Sequence, residues 1–232
     1  MLSFVIPAYN EEKYLPATLR ALFTSAGAVG EPFEVIVVDD ASTDRTTAVA
    51  QAGGARVISA NNRQIAATRN AGARAARGGV LFFVDADTLA NPAAIRRALR
   101  ALRNGAVGGG CLFRYDEPVP LWARAVYPLA MLACRMVALT GGCFLFCTRE
   151  AFATIGGFSE QMFAAEEMDF ARALKRIGRF VVPRPVVVTS ARKIQLLTAR
   201  RIVQLLAHAA RRGARSREGL ELWYGDRDGI AR

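Results

Sequence analysis

The sequence predicts an α/β fold: a mostly parallel, doubly wound sheet flanked by helices, in a single domain. Three observations carry that expectation. The first hundred residues alternate short strand-like runs with helical ones, the order that builds βαβ units. The run Val80-Leu81-Phe82-Phe83-Val84 is apolar throughout, which suits a strand buried on both faces of a parallel sheet. It ends directly in Asp85-Ala86-Asp87, two carboxylates at the edge where open α/β sheets bind ligands. Charges leaving a core are costly unless paired, and a divalent cation carrying a diphosphate would pair with both.

Taken in order, Phe4-Val5-Ile6 reads as the first strand. A helix follows over Glu11 to Thr24, with Leu15, Leu19 and Leu22 at helical spacing. Glu34 to Val38 is the second strand, and Ser42-Thr43-Asp44 caps a helix running to about Gln51. Arg56-Val57-Ile58 is a short strand. An Ala-rich helix spans Ile65 to Arg77 and stops at Gly78-Gly79. After the 80–84 strand, Asn91-Pro92 opens another helix, Pro being tolerated in a first turn. The second half reads as a strand over Ala106 to Phe113, an apolar helix over Leu121 to Leu139 and a strand over Cys143 to Cys147. A helix over Ala165 to Ile177 follows, then extended chain over Phe180 to Val188 around Pro183 and Pro185, and a last helix over Lys193 to Arg212. No repeat or long linker divides the chain. Residues 1–104 read as a nucleotide-binding half, 105–212 as an acceptor and catalytic half, and 213–232 as a loose basic tail.

With 232 residues and 52% hydrophobic content, the chain can bury a sizeable core, and long disorder is not expected. Its formal net charge of +11 suits anionic partners without choosing among them. No aromatic–basic interleaving points to nucleic acid. The four cysteines lack zinc spacing and read as thiols of a reducing cytoplasm. Because the chain opens on a strand-like run, no signal peptide is expected, and no apolar run is long enough to span a membrane.

Three acidic clusters fall at the predicted carboxyl edge: Pro7-Ala8-Tyr9-Asn10-Glu11-Glu12, Asp39-Asp40 and Asp85-Ala86-Asp87. The Gly-rich dinucleotide fingerprint and the Gly-Lys-Ser/Thr phosphate loop are both absent, so a different phosphate strategy is needed, and a metal held by carboxylates is one.

On these motifs, together with Ala67-Thr68-Arg69-Asn70-Ala71-Gly72, Gly156-Gly157-Phe158 and Glu166-Glu167-Met168-Asp169, the chain resembles a family 2 glycosyltransferase of the GT-A fold, from residue 2 to about 193. The resemblance implies inverting transfer of a sugar from a UDP- or GDP-sugar to a glycan, a polyprenyl phosphate or a small hydroxyl compound, assisted by Mg²⁺ or Mn²⁺. It places Pro7, Ala8, Tyr9 and Glu11 around the nucleoside and Asp40 at the base edge. Asp85 falls at the ribose or metal, and Asp87 on the metal. Arg63, in the loop before a helix, is a further candidate for base or diphosphate. The family's catalytic base is the second residue of a Glu-Asp pair; here that position is Glu167, after Glu166, with Asp169 in reserve. The His that many relatives carry near the end of the core is replaced by Val188-Thr189-Ser190-Ala191-Arg192-Lys193, so Arg192 or Lys193 is expected to neutralise diphosphate.

Simpler readings stand beside these. Tyr9-Asn10 also fits a turn and helix cap, Glu166-Glu167 a helix N-terminus favoured by the macrodipole, Gly141-Gly142 a bend, and Arg69-Asn70 an amphipathic helix face. From Arg192 to Arg217 there are eight basic residues and no acidic one, with an apolar stripe at Leu196, Ala199, Ile202, Val203 and Leu206. That pattern suits peripheral contact with the inner face of a membrane as well as docking on the core. The apolar helix over Leu121 to Leu139 would give a lipid acceptor a greasy approach. Nucleotidyl transfer and non-catalytic nucleotide-sugar binding are the competing functions.

Overall fold

The structure, a computed structural model, describes residues 1–138, 140–161 and 165–192. Its elements in order are β1 (Leu2–Ala8), α1 (Leu15–Gly27), β2 (Phe33–Asp40), α2 (Thr46–Ala52), β3 (Arg56–Ala60), α3 (Ile65–Ala75), β4 (Val80–Val84), β5 (Thr88–Leu89), α4 (Pro92–Arg103), β6 (Ala106–Gly110), β7 (Phe113–Tyr115), α5 (Leu121–Met136), β8 (Phe144–Thr148), α6 (Arg149–Ile155), α7 (Glu166–Ile177), β9 (Arg179–Val181) and β10 (Val187–Thr189). Seven strands form the main sheet in the order β3-β2-β1-β4-β8-β6-β9. It is mainly parallel, with β8 antiparallel to both neighbours.

Side chains alternate between the two faces of this sheet, and both are covered. Phe4, Ile6, Val35, Val37, Phe82 and Val84 meet Leu15, Leu19 and Leu22 of α1 and Ile95 and Leu99 of α4. Val5, Ile36, Val38, Leu81 and Phe83 meet Ala66 and Ala73 of α3 and Phe170 and Leu174 of α7. Burial on two faces is why these strands read as continuous apolar runs. Aromatic rings consolidate each side: Phe4 stacks on Phe82 at 4.7 Å, and Phe158 on Phe170 at 4.0 Å.

A second, three-stranded sheet runs β5-β10-β7. It corrects the sequence reading, because residues 106–113 are not one strand. Chain direction changes after Gly110, and Phe113–Tyr115 pairs with β10 instead of β8. Strands this short carry too little period to be read locally. Two further adjustments concern helices. Residues 11–14 form a turn, so α1 begins at Leu15 with Pro16 in its first turn. The N-cap of α2 is Arg45 and has no side-chain cap bond; instead Asp44 accepts from the Thr46 amide just inside. Asn91 caps α4 through its bond from the Ala94 amide. The expected helix over 193–212 lies outside the described residues.

Candidate active site

Strands β2 and β4 flank β1, and all three end on one edge, where the order of connection reverses. Loops leaving such a point separate and open a crevice. Pairing β1 with β2 sets Pro7 opposite Val38 and Ala8 opposite Asp39. Their exit loops are tied together: the Asn10 amide donates to Ser42 Oγ, the Thr43 amide to Asn10 Oδ1 and the Glu11 amide to Thr46 Oγ1.

Asp40 is buried, and both its oxygens are engaged. Oδ1 accepts from the amides of Asn62 (2.6 Å) and Arg63 (3.0 Å), while Oδ2 accepts from the Gln64 amide and the Thr68 hydroxyl. It thus fixes the loop that enters α3. The same loop places the Arg63 guanidinium 3.8 Å over the Tyr9 ring, a cation–π contact that builds one wall of the crevice. Of the five positive-φ non-glycine residues among the described residues, four, Asn10, Ala41, Arg63 and Ala165, lie in the loops that follow β1 and β2 and precede α3 and α7, and the fifth, Ala138, follows α5. Left-handed backbone in non-glycine residues concentrates where surrounding structure holds a site in shape.

Beyond β4, the two aspartates acquire different partners. Asp87 meets the Arg192 guanidinium at 2.8 Å, and Arg192 also donates to Glu11 Oε1 at 2.6 Å and lies 4.5 Å over the Tyr14 ring. The small sheet makes this meeting possible. Thr88 of β5 pairs with Thr189 of β10, and Thr189 Oγ1 comes within 3.5 Å of Asp87 although the two are 102 positions apart. Asp85 instead accepts from Arg69 Nη2 at 2.8 Å.

Arg69 is the centre of the second half of the site. It lies on α3, its side chain is 1% exposed, and it donates to Asp85, to the Gly142 carbonyl at 2.9 Å and to Glu166 Oε1 at 3.0 Å. Burial works against the charge of both Arg69 and Arg192, but the paired carboxylates outweigh it and hold both guanidiniums protonated. Glu166, Glu167 and Asp169 occupy the first turn of α7. Glu166 turns inward to Arg69. A Cβ on Gly142 would stand 3.2 Å from both Cβ and Cγ of Glu167, so glycine there leaves room for the Glu167 stem. Burial first, and the charge of Glu166 second, push the Glu167 carboxyl well above the usual range. Asp169 is half-buried in the same turn.

Gly156-Gly157-Phe158 has an architectural function. Gly156 ends α6 in the left-handed conformation, and Asn70 clamps the Phe158 backbone by accepting from its amide and donating to its carbonyl, both at 2.9 Å. The sequence reading named these carboxylates, and it named the motif that holds Arg69 and the segment that holds Thr189, but not the contacts through which Arg69, Tyr14, Thr189 and the Gly142 carbonyl join them. Arg69-Asn70 stood in the sequence as part of a motif with an amphipathic helix face as its simpler reading, and the burial of both side chains rules that simpler reading out. Lys193 lies outside the described residues.

No group of three or more His, Cys, Asp or Glu among the described residues would hold a metal unaided. Asp85 and Asp87 offer two hard carboxylates, a number that fits Mg²⁺ or Mn²⁺ when a diphosphate and water bring the other oxygens.

Comparison with known proteins fits this geometry. The profile of the family described as "Glycosyl transferase family 2" matches residues 3–153. The undecaprenyl-phosphate 4-deoxy-4-formamido-L-arabinose transferase of Pseudomonas paraeruginosa is 33% identical over 156 residues, 62% of this chain and 46% of that protein. The chain thus spans about half the length of that relative. Among solved structures, the mannosyltransferase PcManGT of Pyrobaculum calidifontis, in complex with GDP-Man and Mn²⁺, superposes with a TM-score of 0.68 at 22% identity, covering 97% of this chain and 68% of that one. S. aureus TarS 1–349 in complex with UDP-GlcNAc gives 0.63 at 21%, covering 82% and 58%. At those identities the superpositions establish a shared fold.

Proposed function

The chain belongs to glycosyl transferase family 2, and from that membership we propose that it moves a sugar from a UDP- or GDP-sugar to an acceptor hydroxyl or lipid phosphate, with inversion at the anomeric carbon. The observation that supports this most is Arg69, which holds donor-side Asp85 and acceptor-side Glu166 on one guanidinium and so keeps Glu167 beside the end of β4.

Pro7, Ala8, Tyr9 and Arg63 frame the nucleoside, with Asp40 shaping that wall through the 62–64 loop. Glu11, beside them, accepts a hydrogen bond from Arg192, and Arg192 and Lys193 neutralise the diphosphate. Asp87 is the metal ligand and Asp85 its companion or a ribose contact. When bound, the divalent cation offsets charge on the departing diphosphate. Glu167 takes the proton from the acceptor hydroxyl. The acceptor oxygen then bonds to the anomeric carbon on the face opposite the nucleoside diphosphate, which leaves with the bonding pair. A lipid phosphate is already ionised and leaves Glu167 no proton to remove.

We assign residues 1–104 to the donor and 105–212 to acceptor and catalysis, with the work done on the cytoplasmic face of a membrane. A panel of UDP-, GDP-, dTDP- and CMP-sugars, with and without Mn²⁺, tests the donor assignment by thermal shift. A UDP- or GDP-sugar should raise the melting temperature, more so with Mn²⁺, because a ligand of the folded state stabilises it by mass action. No shift with any member of the panel would overturn the proposal.

A further inference from the structure

We propose that the outer face of α5 is a docking surface for an anionic lipid bilayer. This gives the membrane contact suggested above a location on the folded domain, and it does not rest on the transferase reading. The observation is a stripe of large apolar side chains left in water: Leu129 is 71% exposed, Met136 79%, Leu132 59% and Val126 56%, with Val137 at 57% just past the helix end. At about 100° per residue these positions fall within an arc of about 140°, a continuous face and not scattered residues. Monomeric soluble domains rarely leave such a patch uncovered.

Three facts choose the occupant. First, the chain has no Asp or Glu between Glu117 and Glu150, whereas Arg124 and Arg135 lie on α5 along one edge of the stripe. The two are about 16 Å apart along the axis, a spacing that lets both reach headgroups while the apolar face enters the acyl boundary. Second, the alternative protein occupants bring the wrong charge. Residues 193–217 carry seven Lys or Arg and no acid, and a second copy would present the same arginine-edged face. An anionic bilayer complements α5 and that basic segment together. Third, no helix among the described residues is long and apolar enough to cross a membrane, and α5 has 16 residues with Pro128 inside it. It therefore lies in the interface plane. A groove of about 380 Å³ opens along the arginine edge, lined by Phe113, Arg114, Tyr127, Met131, Leu132 and Arg135 among others. Leu132 and Arg135 belong to both features, so a lipid chain leaving the bilayer has an apolar path toward β7 and β10, the strands that lead to Asp87.

The test uses the full chain and vesicles of phosphatidylcholine with and without phosphatidylglycerol, read by co-sedimentation. Wild type should pellet with the anionic vesicles, and Leu129→Glu combined with Met136→Glu should weaken that binding about tenfold or more. The milder Leu129→Gln, Met136→Gln pair serves if the first fails to fold, as judged by its melting transition, and should weaken binding in the same direction. Four outcomes overturn the proposal: wild type that ignores anionic vesicles; variants that bind as wild type does, including the case where Arg211→Glu, Arg212→Glu abolishes binding; variants that convert a sedimenting dimer to monomer with vesicle binding unchanged; and variants that lose several degrees of melting temperature with vesicle binding unchanged, which would mean the chain itself covers the stripe.

Discussion

At position 167 a carboxyl group is held where burial and the charge of Glu166 push its pKa up to about 7. Two consequences belong to this residue. As a general base it works only when ionised, so kcat/KM should rise with pH through about 7 and then level off. Glu167→Gln should cost about 10² to 10⁴ in rate with a hydroxyl acceptor and little with an acceptor already ionised, such as a lipid phosphate. Rates with both acceptor types measure this directly, and an equal loss with each would deny Glu167 the part of base. The same shift has a stability signature. The folded group holds its proton to a higher pH than the unfolded one, so its contribution is full below the ordinary carboxylate pKa and is lost as pH rises through about 7. Glu167→Gln, which cannot ionise, should therefore melt higher than wild type at pH 8, by about 2 kcal/mol after allowance for solvent, and show no gain at pH 4. Asp87 gives a separate test. Asp87→Ala should remove the extra melting shift that Mn²⁺ adds to nucleotide-sugar binding; a wild-type Mn²⁺ effect in that variant would refute its assignment to the metal.

Among the elements, α3 does the most to define the site, and its packing sets two expectations. Gly72 faces the sheet, where an added Cβ would stand 2.3 Å from Val5 Cγ1 and 2.9 Å from Val38 Cγ2. Alanine is the better helix former by about 1 kcal/mol, but overpacking against two stiff β-branched side chains costs about 1–3 kcal/mol or more. Gly72→Ala should therefore destabilise on balance, which urea unfolding would show as a lower midpoint with unchanged slope. One turn earlier, Arg69 ties α3 to the end of β4 and to α7. Arg69→Leu leaves Asp85 and Glu166 without their buried counter-charge and should cost about 3–5 kcal/mol. Lys cannot reproduce the three-way fork, so Arg69→Lys should recover only part of that loss. A variant as stable as wild type would show that α7 is positioned by packing alone.

Across the whole molecule, the excess of 31 basic over 20 acidic residues makes the folded state repel itself. The central pairs are buried and little affected by salt, while exposed ones such as Arg45–Glu12 contribute little in any case. Melting temperature should accordingly rise by a few degrees from low to physiological salt, as a salt series of thermal scans would show; a fall would mean that surface pairs outweigh the net repulsion. What the sequence determined by itself is the part governed by local pattern. The apolar runs at 34–38 and 80–84, the leucine spacing of α1 and the Asn-Pro start of α4 each report their own burial or cap, and together they specify a parallel sheet with carboxylates at one edge. Tertiary structure alone decided which carboxylate meets which cation. Asp85 and Asp87 differ by two positions, yet one faces Arg69 of α3 and the other Arg192 beyond β10, because the chain turns between them, the Thr88 amide closing back on the Asp85 carbonyl, and the three-residue strand that brings Arg192 near carries no readable period. Pairing across such separations depends on loop closure and on the burial that follows it, and neither leaves a mark in the residues on either side.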